Sequence, residues 1–397
     1  MDKNKRLTVW LPVIIAASIA LGIFIGNHYL SISQGKKRSY SSGNKINAIL
    51  DIIDEQYVDT VSMSKLVEST IPKIFSELDP HSVYIPAEDA SVVNEELEGS
   101  FSGIGVSFNM QTDTILVISV ISGGPAEKAG LLPFDRIISI NDSIFSGKKK
   151  NQGEIMKTLR GAKNSTVKLG VQRGNSPELL YFDVTRGDVP VNSVDVSYEA
   201  AKGIGYIKVS KFARNTYNEF ITAIAKLKQA GCTSFVIDLR GNTGGYMDAA
   251  INMINEFMPE GRLIVYTEGK SFPRSDVYAN GTGTCKDAPI VVLTDEISAS
   301  ASEIFSGAIQ DNDRGTIIGR RTYGKGLVQT QMSLSDGSEM RLTIARYYTP
   351  SGRCIQKKYE MGNTDAYDQD IYNRYMHGEF DSADSIKMDD SLKYQTV

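Results

Sequence analysis

Histidine is scarce in this 397-residue chain: His28, His81 and His377 are all there is. A serine hydrolase with an imidazole base needs one well-placed histidine. His28 borders an apolar N-terminal run and His377 lies in an acidic tail, which leaves His81, in an LDPHS stretch that reads as a helix-ending turn. Cysteine is equally scarce. Cys232, Cys285 and Cys354 are widely separated, lack metal-ligand spacing, and are too few for a disulfide framework. No metal or cofactor is expected, and the thiols decide no redox compartment. Charge of one sign is missing too. A net charge of −4 without a dense basic patch gives no reason to expect nucleic acid. What remains, 41% apolar and 23% charged residues, is an ordinary globular composition with length for two domains plus appendages.

Only one long apolar run is present. After a basic start (Lys3, Lys5, Arg6) comes Leu7–Gly26 without a charged residue. Twenty helical residues span ~30 Å, the thickness of a hydrocarbon core. A cleaved signal peptide has a shorter apolar core and a clear small-x-small site, of which Ser31-Ile32-Ser33 is a weak version. The run therefore reads as an uncleaved membrane anchor. Lys36, Lys37 and Arg38 beyond it nearly balance the positive-inside rule. No second run follows, so everything after Ser31 is expected on one side of the membrane.

Residues 31–44 are polar and rich in Ser, Gly and Lys, a linker. Lys45–Leu78 carries apolar residues at helical intervals (Ile46, Ile49, Leu50, Ile53, then Leu66, Ile71, Ile74, Phe75), two helices ending at Asp79-Pro80. Ala87–Leu97 is a further short helical pattern. Ser100–Arg186 changes character: a glycine-rich entry SFSGIGVSF, a β-branched strand Ile115–Ile121, a short helix presenting Ile155 and Leu159, and an alternating strand TVKLGVQR. This is a compact β-rich module. From Lys202 strand character resumes, then a helical face of Tyr217, Phe220, Ile221, Ile224 and Leu227. FVIDLRGNTGG, an AAINMINEF helix, RLIVYTE, PIVVLT and GTIIG continue an alternating β/α order that argues α/β architecture. The module interrupts an α/β body whose first helices precede it.

Two stretches carry candidate chemistry, Thr294–Gln310 (TDEISASASEIFSGAIQ) and Gly319–Gln329 (GRRTYGKGLVQ). The first places Ser298, Ser300 and Ser302 between a strand end and a helix start, where unpaired N–H groups and the positive helix end converge. A serine there can be a displayed nucleophile with an anion-stabilising site beside it; equally it can be a helix N-cap. Glu303, three beyond Ser300, can complete a capping box. Lys325 follows in a glycine-flanked loop and is the more plausible base in a chain so poor in histidine. A phosphate-binding loop is the other reading of GRRTYGKG, but Gly326 stands where a magnesium-binding Ser or Thr is required.

Taken in order, LDPHSVYIP, the GIGV loop, PAEKAGLLPFDRIISIN, IDLRGNTGG, SASASEIFSGAIQDNDR, GRRTYGKGLVQ and ARYYTPSGR make the chain resemble the C-terminal processing peptidases, or tail-specific proteases, over most of Ile46–Arg353. The resemblance implies a crotonase-like β/α body with a Ser/Lys active site and an inserted PDZ domain, to which the apolar run Leu7–Gly26 adds an N-terminal transmembrane helix. The expected division is an anchor at 1–30, a linker at 31–44, body helices at 45–96, a PDZ domain at 97–187, a protease core at 188–360 and an acidic tail at 361–397. By resemblance Ser300 is the nucleophile, Lys325 the general base and Gln329 the residue that orients it. The backbone amides of Ala301 and of a glycine in RGNTGG, Gly245 rather than Gly244, form the oxyanion hole. Ser298 and Ser302 are helix-start hydrogen-bonders. Lysine at its free pKa of ~10.4 cannot accept a proton at neutral pH, and desolvation lowers that value.

In the PDZ module Ser102, Gly103, Ile104, Gly105 and Val106 resemble a carboxylate nest, with Ile155 and Leu159 on the facing side of a peptide groove. Expected partners are proteins or peptides with accessible apolar C-termini, and the membrane through the first helix; a homo-oligomer is compatible with this. The resemblance also implies an endopeptidase on the extracytoplasmic, periplasmic side of a bacterial inner membrane, with groove loading able to gate the site. The alternative is a membrane-tethered peptide-binding scaffold that does not cut. This sequence departs from the family at Thr243, usually proline, at Phe134, usually glycine, and in lacking a G-I-x-P-D stretch after SGRCIQ.

Overall fold

The computed structural model describes residues 16–23, 44–111, 114–146, 152–386 and 396. The chain falls into two units, 1–70 and 71–397. In the first, residues 16–23 are helical, the helix Lys45–Gln56 follows, and the helix Met63–Ser76 begins. The expected anchor Leu7–Gly26 lies outside the described residues except for 16–23. Among the described residues no helix is long and apolar enough to cross a membrane.

The second unit contains the body and the module, each with its own apolar core. The body is built on a parallel sheet of Ile204–Val209, Ser234–Asp238, Ile290–Thr294 and Thr316–Gly319, with Val194–Ala201 antiparallel at one edge. In Ile204–Val209, Ser234–Asp238 and Ile290–Thr294 alternate residues are buried, whereas the edge strands Thr316–Gly319 and Val194–Ala201 are mostly exposed. Helices Thr216–Gln229, Met247–Asn255 and Ala301–Asp311 supply the cover. Phe257 packs edge-on against Phe220, Phe235 and Phe305 at 6.2, 6.3 and 6.4 Å. All four rings are fully buried. Burying each contributes roughly 1.5–3 kcal/mol.

A second, antiparallel sheet completes the body, in the order Val83–Ile85, Glu339–Tyr348, Leu263–Glu268, Ser275–Tyr278, with Leu327–Ser333 on the long strand Glu339–Tyr348. Leu263–Glu268, counted by sequence in the alternating β/α order, belongs here and not in the parallel sheet. One of its two partners, Ser275–Tyr278, is close in sequence, but the other, Glu339–Tyr348, is about eighty residues away in the chain, and Tyr266 stacks on Tyr348 at 4.8 Å. Local alternation carries no information about that pairing.

The module enters and leaves the body through a two-stranded neck, Ser100–Gly103 against Gly187–Pro190. Beyond it stands a six-stranded antiparallel sheet with helices Pro125–Ala129 and Gln152–Leu159. Ile155 and Leu159, expected to line a groove, are buried in the module core at 0% and 4% exposure. Their four-residue spacing is the signature of a helix's core face. Ser102 and Gly103 are likewise neck residues, paired with Asp188 and Gly187, and Ser102 N–H bonds Glu95 Oε1 at 3.2 Å. Val106 opens a strand opposite Val120. Of the expected nest, Ile104 and Gly105 stand outside any strand, and their N–H groups donate to no acceptor among the described residues. Their carbonyls accept from Ala126 and Ile121.

Candidate active site

The strand Ile290–Thr294 ends in a turn held by Asp295, whose Oδ1 accepts the N–H groups of Ile297 at 3.1 Å and Ser298 at 3.0 Å. Asp295 also takes Gly241 N–H at 2.9 Å, tying this turn to the one after the neighbouring strand. Ser298 donates to Leu239 O at 2.8 Å and Ser302 to Asn242 O at 2.9 Å, while Ala299 N–H bonds Asn242 O. Both flanking serines thus stitch the elbow to the glycine turn, where hydrogen-bonding to their own helix start was expected. Between them Ser300 is held at φ 55°, ψ −114°, immediately before the eleven-residue helix Ala301–Asp311. A non-glycine residue there costs of order 1–3 kcal/mol and persists only when its surroundings over-determine it.

The glycine turn follows the strand Ser234–Asp238. Asp238, 1% exposed, accepts from Tyr206 at 2.6 Å and from Arg240 at 2.6 Å. Burial pushes its carboxyl up, but the Arg240 and Tyr206 bonds outweigh it and hold it down at about 2. Asn242, buried, donates to Val209 O and accepts Gly244 N–H at 2.8 Å. Gly244 lies at φ +102°, where a Cβ would meet Ala299 O and Ser300 Cβ, both at 2.7 Å; only glycine fits. Phe212 bridges this turn through its N–H to Gly244 O and its carbonyl from Tyr246 N–H. That pattern skips Gly245, whose N–H donates to no acceptor among the described residues, while Gly244 N–H is occupied. Ala301 N–H, the first of its helix, likewise meets no acceptor among them.

Lys325 sits between Thr316–Gly319 and Leu327–Ser333 in a loop without regular structure. Glu303, 5% exposed on the helix Ala301–Asp311, is its anchor. Its Oε2 accepts Ser300 N–H at 2.9 Å and Lys325 N–H at 2.8 Å; its Oε1 accepts Gly324 N–H and Thr322 Oγ1, each at 2.7 Å. Burial pushes the Glu303 carboxyl above its ordinary range against the pull of those four bonds. Lys325 is partly buried, and among the described residues no carboxylate lies within ion-pair distance of its Nζ. Desolvation, then the charge of Arg341, push the ammonium below the ordinary lysine value, against Asp79 and Glu303.

Gln329 lies in the strand after the lysine, and its Nε2 donates to His81 O. No hydrogen bond joins it to Lys325, nor Lys325 Nζ to Ser300 Oγ. His81 is close by. Its turn is capped by Asp79, which accepts the N–H groups of His81 and Ser82 at 3.0 Å, and its Nε2 is 2.7 Å from Tyr367 Oη. Burial, then the Lys325 charge, lower its pKa to about 4, so the imidazole is neutral at pH 7. Asn242 and Tyr367 were not singled out as site residues by sequence reasoning. Asn242 sits in the RGNTGG stretch, but scattered tyrosines in an acidic tail gave no signal for Tyr367.

Comparison with known proteins places the chain in a family. The peptidase family S41 model matches residues 203–365, and the PDZ domain model matches residues 102–195. The carboxy-terminal processing protease CtpB of Bacillus subtilis (strain 168) is 35% identical over 318 residues, 79% of this chain and 66% of that protein. A probable CtpA-like serine protease of Staphylococcus aureus (strain N315) is 33% identical over 365 residues, 90% of this chain and 72% of that protein. Among solved structures, a photosystem II D1 C-terminal processing protease aligns at 28% identity and TM-score 0.45, covering 80% of this chain and 91% of the other.

Proposed function

Because the chain belongs to peptidase family S41, with a carboxy-terminal processing protease and a CtpA-like serine protease among its relatives, we propose that it is an endopeptidase with Ser300 as nucleophile and Lys325 as general base. Ser300 Oγ attacks a peptide carbonyl and its proton passes to Lys325 Nζ. The tetrahedral oxyanion is received by the N–H groups of Gly245 and Ala301, each worth ~3 kcal/mol in the transition state. Collapse expels the amine, which takes the proton from Lys325. Water then attacks the acyl-enzyme, with Lys325 again accepting a proton.

The observation that carries this reading is the shared carboxylate oxygen: Glu303 Oε2 holds the main chains of Ser300 and Lys325 at once. Catalysis requires the lysine side chain to swing toward the serine, and Gln329 to leave His81 O and orient it. Hydrogen bonds in ligand-free sites are often open and tighten with substrate. The PDZ module takes the substrate's apolar C-terminus as an added strand, with Ile104 and Gly105 N–H for its carboxylate. An anchor over Leu7–Gly26 rests on the apolar run alone, and the extracytoplasmic placement of the body on the family resemblance.

The test is cleavage of an unfolded substrate with an apolar C-terminal tail. Wild type should cut, Ser300→Ala and Lys325→Ala should fall by at least about 10³-fold, and the rate should rise with pH through the Lys325 ionisation, below its ordinary 10.5. A wild type that binds the tail but cuts no faster than Ser300→Ala makes the protein a peptide-binding scaffold instead.

A further inference from the structure

The segment beyond Met361 was expected to be an acidic extension, yet it packs on the loop that carries Lys325. Helices Asp365–Asp368 and Asp370–Met376 bring two side chains into the interior, Tyr367 at 5% and Arg374 at 4% exposure. The Arg374 guanidinium donates to Thr322 O at 3.2 Å and to Arg321 O, and its Nε bonds Glu379 at 3.1 Å. Glu379 also takes Arg321 at 2.8 Å. Tyr367 bonds His81, and Lys357, 4.1 Å and 4.0 Å above the rings of Tyr323 and Tyr367, pairs with Asp370 at 3.2 Å. A buried guanidinium is tolerated only where its donors are used. Here two of its three hydrogen bonds go to backbone carbonyls of the catalytic loop.

That loop belongs to no ladder, so its backbone groups need outside partners. Glu303 takes its donors, at Thr322, Gly324 and Lys325. Arg374 satisfies its acceptors, at Arg321 and Thr322. The loop is clamped between a buried anion on the nucleophile helix and a buried cation on the C-terminal helix. We propose that Arg374 is a positioning residue for the catalytic lysine, so that the C-terminal segment is part of the active-site framework. This rests on the Ser/Lys reading above.

The full chain and its Arg374→Ala, Arg374→Lys, Glu379→Gln and Ser300→Ala variants are assayed for kcat and KM on a tailed peptide across pH, with Tm recorded for each. Arg374→Ala should lose about 100-fold in kcat, the effect of a misplacement near 1 Å, with KM little changed. The acid limb of its pH profile should move to higher pH, because a loosened loop admits water to Lys325. The charges facing Lys325, namely Asp79, Glu303 and Arg341, together with neutral His81, are the same in wild type and variant. Arg374→Lys should recover part of both effects. A folded Arg374→Ala with wild-type kcat overturns the proposal, as does a loss of rate with an unmoved acid limb. If Arg374→Ala does not fold, Arg374→Lys and Glu379→Gln decide by the same readouts. A wild type no faster than Ser300→Ala sinks the Ser/Lys reading, and this proposal with it.

Discussion

Glu303 is where two chemistries meet at the scale of one residue. Three of its four partners are backbone N–H groups, which can only donate, so the site is built for an acceptor-only carboxylate. Glu303→Gln turns one oxygen into an NH₂ that faces donors. At least one buried N–H then loses its acceptor, at about 1–3 kcal/mol. We expect a urea midpoint lowered accordingly, together with slower cleavage. Loss of the negative charge also removes a term that favours the Lys325 ammonium, so the acid limb should move to lower pH, opposite to Arg374→Ala. A variant as stable as wild type would refute the account. From sequence, Glu303 is legible as the third residue of a capping box, and its Ser300 N–H bond fits that. Its hold on Thr322–Lys325 is not legible, because no local pattern relates a helix start to a loop some twenty residues on.

At the scale of elements, turn chemistry explains the departure at Phe134. It adopts φ 69° in the turn before the strand Arg136–Ile140, donates its N–H to Val117 O, and is 74% exposed. A left-handed residue with a Cβ costs ~1–2 kcal/mol, and the exposed ring recovers little of it by burial. Glycine relieves that strain but gives up some of the gain to unfolded-state entropy. Phe134→Gly should therefore stabilise the protein by a net gain of up to about 1 kcal/mol, read as a higher urea midpoint. A lowered midpoint would show that the ring contributes more than its exposure suggests. Helix spacing identified Gln152–Leu159 correctly as an element, yet it could not tell a groove wall from a core face. Ile155 and Leu159 satisfy both patterns, and their burial against the module sheet decides between them.

At the scale of the whole molecule, the apolar run at the N-terminus makes its own prediction. The full chain should remain in the pellet after alkaline carbonate extraction of membranes, and removal of residues 1–30 should release it. Recovery of the full chain in the supernatant would sink the anchor. The amino-acid sequence by itself determined the strongly periodic helices and strands of the body and module, that an inserted β-rich unit interrupts an α/β chain, and that a serine at a helix entrance and a lysine between glycines are the pair to consider as reactive. Those are properties of periodicity, turn residues and short motifs, all encoded within a few residues. Tertiary structure alone decided that Leu263–Glu268 leaves the parallel sheet, that Gln329 rests on His81 O, and that Tyr367 and Arg374 return from the tail to His81 and to the loop that carries Lys325. Such pairings are chosen by which distant backbone groups and apolar faces are left to be satisfied once local structure has formed, and no local stretch of sequence records that.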